Sequence, residues 1–235
     1  MLDELESILL DDRSSGPFLI CALVMDVSSS MVGGPICELN KAYSDFRKFI
    51  RDGDVLFQRI QVVVIEFSSS ARVTVPLQEG RTLPELTFTA DGLTAMGAAI
   101  NKTLDVIEAR KQEYIDKEIE YYRPWVIVLS DGSPTDKAVF GNAVNRLNEA
   151  TSSKSVAVLP IGIGDNAGIK TLSRLSLPQR SAVKLTEFNL SDFLTSELWL
   201  PDDDDDVFIQ FEPDTDELLT LSHHKYPRTG QNRSE

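Results

Sequence analysis

Short apolar runs alternate with amphipathic stretches along most of this chain. Residues 18–25 are apolar almost without interruption, the pattern of a parallel strand covered on both faces. Pro35 then stands at a favoured first-turn position, and Ile36, Leu39, Tyr43, Phe46 and Ile50 recur on one helical stripe. Residues 60–67 are rich in β-branched side chains and predict a second strand. Ser68-Ser69-Ser70 joins it tightly to a predicted antiparallel partner over 71–77. A long helix is predicted over about 96–121, carried by Ile100, Leu104, Ile107, Ile115 and Ile119. Strands at 125–129, 156–163 and 182–185 then alternate with helices at 137–152, 169–175 and 191–199. The alternation predicts an α/β fold: a doubly wound, mostly parallel central sheet with one antiparallel edge strand and helices on both faces.

The two ends depart from this pattern. Residues 1–15 form an acidic N-terminal extension with helical spacing at Leu2, Leu5, Ile8 and Leu9, closed by the breaker Ser14-Ser15-Gly16-Pro17. The expected domain spans 16–200, and an acidic C-terminal tail spans 201–235. Five consecutive aspartates at 202–206 repel one another and cannot share a core, so Pro201 marks the domain edge. Within the tail, 207–211 reads as a short strand or docking segment and 222–235 as a polar, disordered end.

Composition narrows the function. The 235 residues are 42% apolar, enough for one well-buried domain. With 37 acidic and 23 basic residues the formal charge is −14, against a role on nucleic acid or anionic lipid. No apolar run approaches the roughly 18 residues that span a bilayer. The start, Met1-Leu2-Asp3-Glu4-Leu5-Glu6, lacks the positive region of a secretory signal. Cys21 and Cys37 are too few for a disulfide framework or a cysteine-based zinc site. A cytoplasmic protein, acting as a monomer, is the expectation.

Ligands of doubly wound sheets sit beyond the carboxyl ends of the strands. Three such ends carry matching chemistry. The first strand runs into Asp26-Val27-Ser28-Ser29-Ser30, a loop before the long helix reads Asp91-Gly92-Leu93-Thr94, and a later strand ends in Ser130-Asp131-Gly132-Ser133-Pro134-Thr135-Asp136. Two carboxylates (Asp26, Asp131) and three hydroxyls (Ser28, Ser30, Thr94) form an all-oxygen set suited to a hard divalent cation. Few protein ligands completed by water fit magnesium or manganese better than calcium. Neutral hydroxyls leave the ion much of its charge, so a free coordination position would attract an external carboxylate.

In order and context, Asp26-Ser28-Ser30, Thr94 and Asp131 resemble the metal-ion-dependent adhesion site of von Willebrand factor type A domains. The resemblance covers roughly 17–200. Within that superfamily the chain looks most like small bacterial stand-alone domains of the tellurite-resistance TerY type, on residues 130–136, Ile161-Gly162-Ile163-Gly164 and Thr186-Glu187-Phe188. The resemblance implies a binding domain rather than an enzyme. Ser28, Ser30 and Thr94 would reach the cation directly or nearly so. Asp26 and Asp131 would act directly or through water, and a protein partner's Asp or Glu would complete the shell. TerY-like proteins are linked with bacterial stress and phage-defence systems, often beside a protein kinase and a phosphatase, which makes these the expected partners. Integrin-like members add acidic residues after the serine motif to hold a neighbouring ion. Here Met31-Val32-Gly33-Gly34-Pro35 supplies none, so one ion is expected.

Plainer readings compete at several positions. Ser28–Ser30 also suit a helix cap, and Asp91 rivals Thr94 as the ligand of its loop. Thr135 and Asp136 read as caps of the helix from Lys137, Glu66 as a solvent-facing edge residue, and Cys21 as a small buried hydrophobe. Cys37 carries no sign of reactivity, and His223-His224 in the tail do not make a metal site. Two rival functions remain: a magnesium-dependent phosphohydrolase on a similar sheet, and an adaptor acting through the acidic tail. Hydrolysis commonly uses a carboxylate nucleophile with an acid/base partner two residues on; here that position is Ser28, and no histidine precedes residue 223.

Overall fold

The first apolar run becomes strand β1 (Leu19–Asp26), buried at every position. In the computed structural model the described residues are 17–52, 59–165, 167–176, 182–185, 206–210 and 220–224. After β1 come helix α1 (Gly34–Asp52), strands β2 (Ile60–Phe67) and β3 (Ala71–Glu79), and helix α2 (Met96–Asp116). Strand β4 (Trp125–Ser130), helix α3 (Lys137–Ser152) and strand β5 (Ala157–Gly162) follow. A short helix α4 (Ile169–Leu172), continued by a 3-10 turn over Ser173–Leu175, leads to strand β6 (Val183–Lys184).

The sheet order is β3-β2-β1-β4-β5-β6, with β3 antiparallel to β2 and every other pairing parallel. This is the expected doubly wound architecture. The chain winds outward from β1 through β2 to β3, then returns to the opposite side of β1 as β4. The winding therefore reverses between β1 and β4, the point at which such sheets open a crevice. Met25 pairs with Leu129, so Asp26 and Ser130 end neighbouring strands at the same level.

Alternate residues of β1 face two cores. Leu19, Cys21, Leu23 and Met25 pack with Leu39, Tyr43, Phe46 and Ile50 of α1, while Ile20, Ala22 and Val24 pack with α2 and α3 through residues such as Ile100, Leu104 and Phe140. Burial pushes the Cys21 thiol up to about 12, so it behaves as the small hydrophobe expected. Cys37 is exposed. Among the described residues no helix is long and apolar enough to cross a membrane.

Four expectations need correction. Helix α2 stops at Asp116 rather than near 121. Glu118 takes a positive φ of 54°, and Tyr121 forms an isolated parallel bridge with Phe18. Ile119 and Tyr121 still pack on the core that α2 covers, which is why the apolar periodicity outlasts the helix. Glu66 does not face solvent at an edge. It lies buried on β2, inside the β3 edge, and pairs with Arg72 at 2.6 Å. Asp136 does not cap its own helix: α3 has no side-chain cap, and the carboxylate serves α2 instead. The expected disordered end is in part a strand, since β7 (Asp206–Gln210) and β8 (Thr220–His224) pair antiparallel from Asp206↔His224 to Gln210↔Thr220. The extension 1–15, the helix expected at 191–199 and residues 186–188 lie outside the described residues.

Helices α2 and α3 approach closely at Gly97, where a Cβ would stand 2.3 Å from the Phe140 backbone nitrogen. Backbone cannot yield as a flexible side chain can, so Gly97→Ala is expected to destabilise the fold by about 2–3 kcal/mol in urea unfolding. Unchanged stability would contradict this packing.

Candidate metal centre

The candidate residues lie where loops leave the carboxyl edge of the sheet. Asp26 is the last residue of β1 and is fully buried. One carboxylate oxygen accepts the Ser28 backbone N–H at 2.9 Å, and the other accepts the Ser130 hydroxyl. The Ser130 oxygen in turn accepts the Gly132 backbone N–H at 2.9 Å, which fixes its direction. Burial is the main influence on this carboxyl and pushes its pKa up to about 6. The bonds from Ser130 and Ser28 pull the other way, and the negative charge of Asp131 adds to the rise.

Ser28 and Ser30 follow at once. Ser28 is buried and Ser30 exposed, and their hydroxyls bond each other at 3.0 Å. Neither hydroxyl caps a helix: Ser28 makes no cap bond to the short 3-10 turn Ser29–Met31, and α1 starts only at Gly34. This loop is tied to the second one by the Ser29 N–H on Gly92 O at 3.0 Å and the Asp91 N–H on Val27 O at 2.8 Å. Gly92 takes a positive φ of +81°, which favours glycine, and a Cβ there would lie 2.6 Å from the Ser69 hydroxyl in the β2–β3 connection.

In the second loop Thr94 is buried, while Asp91 is exposed and its carboxylate accepts the Gly92 N–H at 2.7 Å. Thr94 is clamped to the third loop, its N–H donating to the Thr135 hydroxyl at 3.0 Å and its carbonyl accepting the Thr135 N–H at 2.9 Å. Asp136 reinforces the clamp by accepting the N–H groups of Gly97 and Ala98 at 3.2 and 3.0 Å, capping α2 from a neighbouring loop. Asp131 is half-buried; one oxygen accepts the Ser133 N–H at 3.2 Å, and its carbonyl accepts the Gly168 N–H at 2.6 Å.

Asp26, Ser28 and Ser30 are thus joined by direct bonds, and Asp131 lies within electrostatic reach of Asp26. Thr94 is brought to the same edge through Thr135, without a side-chain hydrogen bond to the other four among the described residues. Ser130 was missed as a positioning residue. Its signal was its place immediately before Asp131, but only the β1–β4 register sets it beside Asp26. The roles of Thr135 and Asp136 in holding the Thr94 loop carried no spacing signal.

This donor set fits a hard divalent cation. All five residues offer oxygen, the Ser28 and Ser30 hydroxyls bond each other, and Asp131 uses one carboxylate oxygen to accept the Ser133 N–H. No group of three or more His, Cys, Asp or Glu gathers among the described residues, so the nitrogen- and sulfur-rich sites of softer metals have no counterpart there.

A family model of the von Willebrand factor type A domain matches residues 22–197. Among solved structures, the PilB minor pilin of Streptococcus sanguinis aligns with a TM-score of 0.53 at 13% identity, over 79% of this chain and 61% of that one. Proximal thread matrix protein 1 of the mussel byssus aligns with a TM-score of 0.50 at 17% identity, over 77% and 47%. Manganese-loaded TRAP protein of Plasmodium vivax aligns with a TM-score of 0.47 at 18% identity, over 69% and 65%. The chain spans from about half to just under two thirds of the length of these three proteins. No curated protein matches it.

The buried Asp26 sets a pH dependence in metal-free protein. Its folded pKa of about 6 lies above the ordinary carboxylate value, so between about pH 4 and 6 the folded chain holds more protons than the unfolded one. Stability therefore falls as pH rises through that window, by about 3 kcal/mol in all. In chelator, the stability difference between Asp26→Asn and the parent should shift in favour of the variant from pH 4 to 6 and level off above. A difference constant across that range in denaturant titrations would contradict it.

Proposed function

The chain belongs to the von Willebrand factor type A domain family, whose members are protein-interaction and adhesion modules, and on that footing we propose that it is a non-enzymatic, divalent-cation-dependent protein-binding module. Asp26, Ser28, Ser30, Thr94 and Asp131 would hold one magnesium or manganese ion. When bound, that ion would supply a positive centre attractive to an Asp or Glu side chain of a protein partner. The bonded set of Asp26, Ser28 and Ser30, with the charge of Asp131 beside it at the reversal point of the sheet, is the observation that carries this proposal.

The chain's own residues prepare the site. Ser130 and the Ser28 N–H fix the Asp26 carboxylate in one orientation before any ligand arrives. Thr135 and Asp136 hold the Thr94 loop against the start of α2, so little ordering remains for binding. Val32 and Leu93 are exposed on the first two loops and offer apolar contact to a partner segment. The rival phosphohydrolase lacks support at the key position: two residues after Asp26 the chain presents Ser28, whose hydroxyl bonds Ser30.

The narrower proposal, a TerY-type domain of a bacterial tellurite-, stress- or phage-defence system with a kinase or phosphatase as partner, rests on the similarity of residues 130–136, 161–164 and 186–188. A cytoplasmic location and a monomeric state accompany it.

Calorimetric titration with magnesium or manganese is expected to show one site, abolished in Asp26→Ala and in Asp131→Ala. Ser130→Ala, which removes a bond to a ligand rather than a ligand, should weaken metal binding by about tenfold. Binding in both aspartate variants equal to the parent would overturn the proposal. Partner capture on immobilised protein should likewise be lost on adding chelator.

A further inference from the structure

Beside the candidate metal centre lies a second feature of opposite charge. A cavity of about 400 Å³ opens between the loop after β4, the start of α3 and the α4 turn. Ser133 and Thr171 bring hydroxyls to its wall, Lys137 and Arg174 bring cations, and Phe140 contributes an apolar surface. The Arg174 guanidinium sits over the Phe140 ring, 5.0 Å from its centroid, which holds a long side chain in place.

What sets these two cations apart is the lack of a carboxylate. The chain carries a net charge of −14, yet neither Lys137 nor Arg174 has an acidic partner among the described residues. The adjacent acidic side chains are engaged elsewhere: Asp136 accepts the N–H groups of α2, and Asp131 accepts that of Ser133 and faces Asp26 electrostatically. Because Asp136 turns away, α3 also begins without a side-chain cap at the margin of the same cavity.

We infer that this cavity binds the dianionic head of a phosphate monoester or a phosphate ion. Two cations and two hydroxyls suit a group with three strong acceptor oxygens and nearly two negative charges. A monocarboxylate would leave one of the cations unmatched. The inference concerns residues outside the candidate metal set and stands independently of metal occupancy.

The experiment is an amide NMR titration of the full chain in EDTA at pH 7.5, with inorganic phosphate in one arm and N-acetyl-phosphothreonine amide in the other. Saturable shifts are expected at Ser133, Lys137 and Thr171. Lys137→Ala and Arg174→Gln should each weaken binding at least fivefold, with Arg174→Lys retaining more affinity than Arg174→Gln. Tighter binding of the phosphothreonine probe assigns the site to a phosphorylated side chain, and tighter binding of inorganic phosphate assigns it to the free ion. Absence of saturation in both arms up to tens of millimolar, or affinity unchanged in both charge-removing variants, would overturn the inference.

Discussion

Burying a carboxylate at the end of the first strand is the constraint around which this molecule is arranged. Asp26 is fully enclosed, the negative charge of Asp131 acts on it, and hydrogen bonds from Ser28 and Ser130 compensate it only in part. A fold seeking stability alone would place an apolar residue or an amide there. Keeping an acid at that position leaves a local excess of negative charge, which a doubly charged cation would relieve. The topology supplies the opening, because the winding of the sheet reverses between the two strands that end in Asp26 and Ser130.

Around this constraint the loops are cross-tied rather than free. Ser29 and Asp91 join the first loop to the second, Thr135 joins the second to the third, and Gly168 joins the third to the turn after β5. Asp136 extends the network into helix packing by capping α2 from the loop before α3, where Gly97 lets the two helices meet. The same turn of Asp136 leaves Lys137 and Arg174 without an acidic partner among the described residues. One side-chain orientation thus connects the positioning of Thr94 to the charge of the neighbouring cavity.

Most of the architecture was legible in the sequence because its parallel strands are covered on both faces and read as continuous apolar runs. The candidate ligands were legible for a related reason: Asp26 and Asp131 stand directly at the ends of such runs. What the sequence concealed depends on contacts between distant segments. Ile119 and Tyr121 kept a helical period while packing on the core from outside the helix, so α2 seemed longer than it is. Glu66 looked like a solvent-facing residue until the placement of β3 at the edge and the Arg72 pair accounted for its burial. Asp136 has the residue type and position of a cap for the helix it precedes, yet serves the helix before it. Ser130 became meaningful only through strand register.

The central claim is that oxygen atoms from three separated loops surround one hard cation. Anomalous diffraction at the manganese edge, from crystals of the chain grown in manganese, tests it most directly. The account predicts a single strong peak bounded by Asp26, Ser28, Ser30, Thr94 and Asp131. A peak confined to other residues, or none at that edge of the sheet with manganese in excess, would contradict it.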